Sequence, residues 1–303
     1  MPITRRTARG SDRVDLTGFA AAVGADGPVT VAGLSSRGGA VSGVRVVSAP
    51  AGIEWIQADE MIVSCGAATP IADLDAALAE HRQCVALPRS GTVGGALAIG
   101  RSDIRRLGYG HLRNSLLQAN YVSAAGEIVK AGGPTVKNVS GFDLCRLLVG
   151  SRGTIGFIGA VILRTRPLPA ASQWFASARD PWSVLANLYR PVSVLWDGEA
   201  TWVLLEGHAT DIAEQAAKAA LQPTDGPPKL PTEATWSMAA ADLRSLVGST
   251  GFVAEIGVGV VHHTKPAPER TVPPASLALH ARLKHQFDPT GRLNPGIDVL
   301  GVR

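Results

Sequence analysis

The stretch "PRSGTVGGALAIGRSDIRRLGYGHLRNSLL", from Pro88 to Leu117, holds six glycines between Gly91 and Gly110. Glycine weakens helices and strands alike, so such density points to special dihedrals or to close approach of a ligand to bare backbone. The neighbouring Arg105, Arg106 and Arg113 point to an anionic one. Three glycine-rich turns follow β-rich segments: "AGLSSRGG" at 32–39, "RSGTVGG" at 89–95 and "GSRGTIG" at 150–156. Backbone N–H groups in such turns form concave nests for phosphate oxygens. Ser35, Ser36 and Thr92 add hydroxyls, and Arg37 adds a charge inside the first turn. A plain strand-connecting role accounts for any one turn. Three together, with no P-loop lysine motif and no GxGxxG at a strand–helix junction, point away from P-loop and Rossmann sites. They fit a large phosphate-bearing cofactor lying across several loops.

The chain has 303 residues, 46% hydrophobic and 18% charged, enough for two modest domains with buried cores. A net charge of +4, with acids such as Asp12, Asp15, Asp73 and Asp75 interleaved, argues against a nucleic-acid partner. The basic, polar start is unlike a secretory signal, and no apolar run is long enough for a transmembrane segment. Cys65, Cys84 and Cys145 are isolated in apolar surroundings and read as buried thiols of a reducing compartment, with no CxxC for zinc or an iron–sulfur cluster. No metal site is expected, and the expected location is cytoplasmic.

The first part alternates strands with a helix over "TPIADLDAALAEH", for which Thr69 is the expected N-cap and Pro70 the first helical residue. A hairpin turning at Ala125-Gly126, a short helix ending at Gly150 and a long strand from Phe157 lead to Arg166–Pro169, a natural boundary. Beyond it, strand and helix patterns follow in βαββαβ order, the ferredoxin-like pattern, with "GFVAEIGVGVVHH" as the last strand. "LQPTDGPPKLPTEA" is expected to be a surface loop. Five of the six tryptophans fall in this second part, as core or interface anchors. The expected fold class is α+β, with residues 1–169 and 280–303 forming one domain and 170–279 a small ferredoxin-like cap.

Three segments carry a family resemblance: "LPRSGTVGGALAIG", the run from "RRLGYGHLRNSLLQANY" through "KNVSGFDLCRLLVGSRGTIG" to "RTRPLP", and the terminal "FDPTGRLNPG". They resemble the FAD-binding domain of the vanillyl-alcohol oxidase (PCMH-type) superfamily and, within it, the smaller FAD-binding subunit of glycolate oxidase. The resemblance covers about 88–169, 29–87 less strongly, and 287–296. It implies that Gly33, Leu34, Ser35, Ser36, Arg37, Gly38 and Gly39 form a pyrophosphate loop. Arg89, Ser90, Gly91, Thr92, Val93, Gly94 and Gly95 would lie against pyrophosphate and ring. Gly153, Gly156, Phe157, Ile158 and Asn294 would approach the flavin or adenine. The loop has no histidine for an 8α-histidyl link, so the FAD is expected to be noncovalent. Asn114 and Phe142 stand where relatives commonly have aspartate and tyrosine.

On the substrate side Tyr109, His111 and Arg113 are the expected catalytic residues, with Lys137 beside them. An arginine pairs bidentately with the carboxylate of a 2-hydroxy acid, and a histidine serves as general base. The pair His262–His263 is a weaker candidate for that base, better explained as a surface strand end whose side chains point to opposite faces. The resemblance implies a subunit that passes electrons from flavin to an iron–sulfur partner beside a larger FAD-binding hydroxy-acid oxidase subunit. It would sit in the cytoplasm, touching the membrane at most through its partners. Two alternatives stay open: a stand-alone small FAD oxidoreductase, and an assembly subunit that keeps the fold with weak or no flavin binding.

Overall fold

Apolar residues alternate with polar ones in 117–121 and recur at helical spacing in 71–78. The computed structural model, which describes residues 14–36, 39–134, 143–269 and 271–300, turns these patterns into two compact units. One comprises 1–103, 111–167 and 271–303; the other comprises 104–110 and 168–270.

The first unit opens with α1 (Leu16–Val23), capped by Asp15, whose carboxylate accepts the Gly18 N–H at 2.9 Å. β1 (Val29–Ala32) and β2 (Arg45–Ser48) form a small parallel sheet. β3 (Ile53–Gln57) and β4 (Ile62–Gly66) pair next, followed by α2 (Ile71–Glu80). The glycine-rich stretch then forms α3 (Val93–Ile99), a helix that its glycines conceal. β5 (Leu116–Val122), β6 (Ile128–Gly132), α4 (Leu144–Leu148) and β7 (Phe157–Arg164) complete an antiparallel sheet in the order β3-β4-β7-β5-β6. Its core joins Val63, Leu74, Leu78, Leu97, Leu112 and Val161. Thr69 is not the cap of α2: Pro70 holds that position with no side-chain bond, and the Thr69 hydroxyl instead bonds the backbone of Gly52. There it closes the corner after β4, and Cys65, Cys84 and Cys145 are all buried free thiols.

The second unit contains β8 (Ala171–Ser177), α5 (Pro181–Ala186), β9 (Ser193–Trp196), β10 (Thr201–Gly207), α6 (Ala209–Lys218) and β11 (Gln222–Thr224). β12 (Ala234–Ser237), β13 (Phe252–Glu255) and β14 (Val260–His263) extend it to seven antiparallel strands in the order β11-β8-β10-β9-β13-β14-β12. The first four of these have the ferredoxin-like arrangement, but its closing strand is β11, inside the Pro-rich segment expected to be loop. "GFVAEIGVGVVHH" is a hairpin rather than one strand, because Gly257 and Gly259 take left-handed φ values of 79° and 87°. Trp182, Trp196 and Phe252 pack edge to face, with centroids 5.3 and 5.2 Å apart. The segment 104–110 joins this unit through Gly108 N–H to the Val192 carbonyl, 3.1 Å.

The chain then returns to the first unit through α7 (Pro274–Phe287). The motif after it works as a clip. Asp288 is buried and accepts from the N–H groups of Arg292 and Leu293 and from Lys284 Nζ. Lys284 Nζ also donates to the carbonyl of Thr154 at 2.7 Å. The Arg292 guanidinium donates to five carbonyls, those of Val23, Gly24, Asp26, Gly27 and Ala124. Leu293 bridges to Val29 of β1.

Candidate functional site

The clip, the end of β1 and the start of α3 converge on one cleft of the first unit, partly open to solvent. Four features build it. The loop after β1 contributes Gly33, Leu34, Ser35, Ser36 and Gly39. Leu34 is 61% exposed and Ser35 has a left-handed φ of 54°. Thr92, Gly94, Gly95, Ala98 and Ile99 come from α3 and its cap. The Thr92 hydroxyl caps α3 by accepting the Gly95 N–H at 3.1 Å, and a Cβ on Gly33 would lie 3.5 Å from the same oxygen.

Gly94 has no room for a side chain. Its N–H donates to the Ala67 carbonyl at 2.7 Å, and a Cβ there would stand 2.7 Å from the Ala67 Cβ. The approach brings Ala67 and Ala68 to the cleft wall. The turn before β7 supplies Ser151, Arg152, Gly153 and Gly156, followed by Phe157 and Ile158. Gly153 has φ +70°, and a Cβ on it would meet Asn294 Nδ2 at 2.7 Å. Asn294 and Ile297 close the fourth side. The Asn294 N–H donates to Val29 O at 3.0 Å and its side-chain amide to Arg152 O at 2.6 Å. Its Oδ1 is buried with no hydrogen-bond partner.

Of the expected cofactor contacts, Gly33, Leu34, Ser35, Ser36, Gly39, Thr92, Gly94, Gly95, Gly153, Gly156, Phe157, Ile158 and Asn294 line this cleft. Arg89, Ser90, Gly91 and Val93 are not among its lining residues. Arg89 and Ser90 are exposed, the Gly91 carbonyl accepts the Ile71 N–H, and the Val93 side chain is in the core. Arg37, Gly38, Lys137 and Phe142 lie outside the described residues. Gly156 has a second task, since a Cβ on it would strike the Tyr121 ring at 2.5 Å. Val31, Ala67, Ala68, Ala98, Ile99, Arg152 and Ile297 were not expected at the site. The small pair after "IVSC" was the readable signal for Ala67 and Ala68.

The expected substrate residues do not line the cleft. Tyr109 belongs to the second unit, where its hydroxyl donates to Glu206 Oε2 at 2.7 Å and the Arg105 guanidinium lies 5.0 Å from its ring centroid. His111 and Arg113 belong to the first, where His111 Nδ1 accepts the Arg113 N–H at 3.2 Å and caps a short 3-10 turn. His262 and His263 do point to opposite faces, but they are no surface strand end. His262 Nε2 lies 3.0 Å from buried Glu255, and His263 is stacked on Trp236 at 4.1 Å. Burial, with Lys265 adding to it, lowers the His263 pKa.

The cleft fits a flat dinucleotide. Its lining combines glycine backbone and the hydroxyls of Ser35, Ser36 and Thr92 with the apolar side chains of Val31, Ala98 and Ile99. The orphaned Asn294 Oδ1 awaits a donor, and an unsatisfied buried acceptor is costly. Comparisons with known proteins agree. Residues 18–132 match the family model for an FAD binding domain. The chain is 31% identical over 196 residues to glycolate oxidase subunit GlcE of Escherichia coli, covering 59% of this chain and 56% of that one. It is 38% identical over 117 residues to a D-lactate dehydrogenase of Archaeoglobus fulgidus, covering 37% and 26%. With glycolate oxidase subunit GlcD of Bacillus subtilis it is 30% identical over 145 residues, 45% and 31% of the two chains. The matches thus span about a quarter to just over half of these relatives' lengths. Among solved structures, alkyldihydroxyacetonephosphate synthase superposes with a TM-score of 0.64 at 14% identity, over 92% of this chain and 73% of that one. Phl p 4, a grass pollen allergen with glucose dehydrogenase activity, does so at 0.53 and 14%, over 68% and 48%.

Residues 18–132 therefore resemble an FAD binding domain, and the chain shares the fold of the solved structures above. The chain is linked by sequence to glycolate oxidase subunits and to D-lactate dehydrogenases.

Proposed function

We propose that the chain is an FAD-dependent oxidoreductase subunit of a glycolate oxidase-like 2-hydroxy-acid dehydrogenase complex. In this reading it works beside a larger FAD-binding subunit and passes electrons to an iron–sulfur partner. The observation that carries the reading is the cleft itself, with its orphaned Asn294 oxygen at the meeting point of three glycine-bearing segments. Bound FAD would supply the two-electron chemistry. The protein's part is to bind and orient it: backbone and hydroxyls of 33–36 and 92–95 at the polar side, Asn294 as acceptor, and apolar side chains that exclude water.

In this reading the flavin is held noncovalently. For the substrate we assign Arg113 as the carboxylate grip and His111 as the base for the hydroxyl proton, both on the first unit and outside the lining of the cofactor cleft. Sequence likeness to glycolate oxidase subunits supports a multi-subunit enzyme, located in the cytoplasm and attached to membrane only through partners; no described helix is long and apolar enough to cross one.

Purification of the chain tests this directly. A yellow protein whose flavin is released by acid precipitation is expected, together with an iron–sulfur chain on mild isolation from the native source. A folded, colourless protein that takes up no added FAD overturns the cofactor assignment. A flavoprotein that never co-purifies with partners overturns the complex.

A further inference from the structure

A dinucleotide brings about two negative charges in its diphosphate, and burying charge without a partner is costly. Among the described residues that line the cleft, Arg152 is the one charged residue. Its surroundings show that its place is imposed. The residue is in the left-handed region, φ 52°, where a side chain is strained and glycine is not. Two bonds pin the main chain in that state: Arg152 N–H to the Ala98 carbonyl, 2.8 Å, and the Arg152 carbonyl to Asn294 Nδ2, 2.6 Å. The guanidinium is tethered by Nη1 to the Asp298 carbonyl at 3.0 Å, yet the residue remains exposed. One tether restricts the side chain without covering the fork.

We propose that Arg152 is the cationic contact for the diphosphate of the bound dinucleotide, an inference that rests on the FAD-binding reading above. A guanidinium is always charged and presents paired donors that match two phosphate oxygens at once. The nests of 33–36 and 92–95 supply partial charges, and Arg152 supplies the whole one. The main-chain strain at this position is the cost of placing that charge, since glycine would hold the same turn without it.

The test titrates flavin-free protein with FAD and with riboflavin, which has the ring but no phosphate, and follows flavin fluorescence. Arg152→Gly removes the cation and relieves the left-handed strain, so the apoprotein is expected to melt no lower than the native chain. Its FAD Kd should rise about tenfold or more at low salt, a charge-assisted contact being lost, and the gap should narrow as salt screens it. Riboflavin should bind both proteins alike, and Arg152→Lys should recover part of the FAD affinity. FAD binding by Arg152→Gly within about twofold of native, or an equal loss for riboflavin, overturns the assignment while leaving the FAD-binding reading intact. A native chain that binds no FAD overturns both.

Discussion

Asn294 donates its side-chain amide to the Arg152 carbonyl at 2.6 Å, joining residues 142 positions apart across one wall of the cleft. The bond commits Nδ2 and leaves Oδ1 facing a buried space without a partner. Because the acceptor is a carbonyl, the amide cannot be flipped to exchange these roles.

Asn294→Ala should therefore weaken both the fold and the flavin site. Loss of the bond to a part-buried carbonyl costs about 1–3 kcal/mol, measurable by urea unfolding of the apoprotein. The flavin-to-protein ratio after purification should fall as well, and Asn294→Asp, which faces a carbonyl with a carboxylate, should do no better. An Asn294→Ala protein with full flavin content would remove this residue from the site.

Two glycines of the cleft should separate folding from binding. A Cβ at Gly94 meets the Ala67 Cβ at 2.7 Å and its carbonyl oxygen at 3.0 Å, so Gly94→Ala should lose about 1–3 kcal/mol of stability through overpacking. A Cβ at Gly39 meets nothing within 4 Å. Gly39→Val should leave the apoprotein melting temperature unchanged and lower FAD affinity several-fold by occupying ligand space. Calorimetry of the apoproteins, paired with FAD titration, checks both.

The second unit should lose stability in mild acid. His263 is buried, its Nδ1 accepts the Lys265 N–H at 3.0 Å, and burial followed by Lys265 lowers its pKa from the ordinary 6.5. The folded state thus favours the neutral ring, while the unfolded chain binds the proton more readily. Stability contributed by this group is complete above pH 6.5 and is lost as the pH falls below it. Thermal unfolding at pH 8 and pH 5.5 should show the drop, and His263→Phe should flatten it.

Thiol reagents should find the native protein inert at Cys65 and Cys145. Burial, against a weaker opposing bond from Thr69, pushes Cys65 up to about 12, and burial with Asp143 beside it pushes Cys145 to about 11. At pH 8 neither carries an appreciable thiolate fraction, and only the thiolate reacts. Labelling followed by peptide mapping should mark both residues in denaturant and neither in the folded state.

What the sequence revealed depended on how local the signal was. The glycine-rich turn at 150–156 and the hairpin at Ala125-Gly126 were legible because each needs only its own few residues. α3 was hidden because glycines lower helix propensity, and its formation rests on the Thr92 cap and on the fit of Gly94 against Ala67. β11 was hidden for the opposite reason: Gln222–Thr224 has little strand character, and its pairing with Trp174–Ala176 is supplied by a strand some fifty residues earlier. The same holds for Glu255 beside His262, a partnership set by strand pairing rather than by a motif. At the site, Thr92, Gly94 and Asn294 were identified from motif likeness. Arg89 and Ser90, in the same run, sit away from the cleft because the chain turns into α3 just after them.

The clip after α7 gives the cleft an order of manufacture. Its walls at 33–36 and 92–95 leave the ribosome early, the whole 168–270 unit is translated next, and only then do Arg292, Leu293 and Asn294 arrive. A nascent or prematurely terminated chain has the glycine loops but lacks the residues that bind β1 to the Arg152 turn. A chain cut before residue 288 is therefore expected to hold FAD poorly, which the flavin content of C-terminally truncated protein would read.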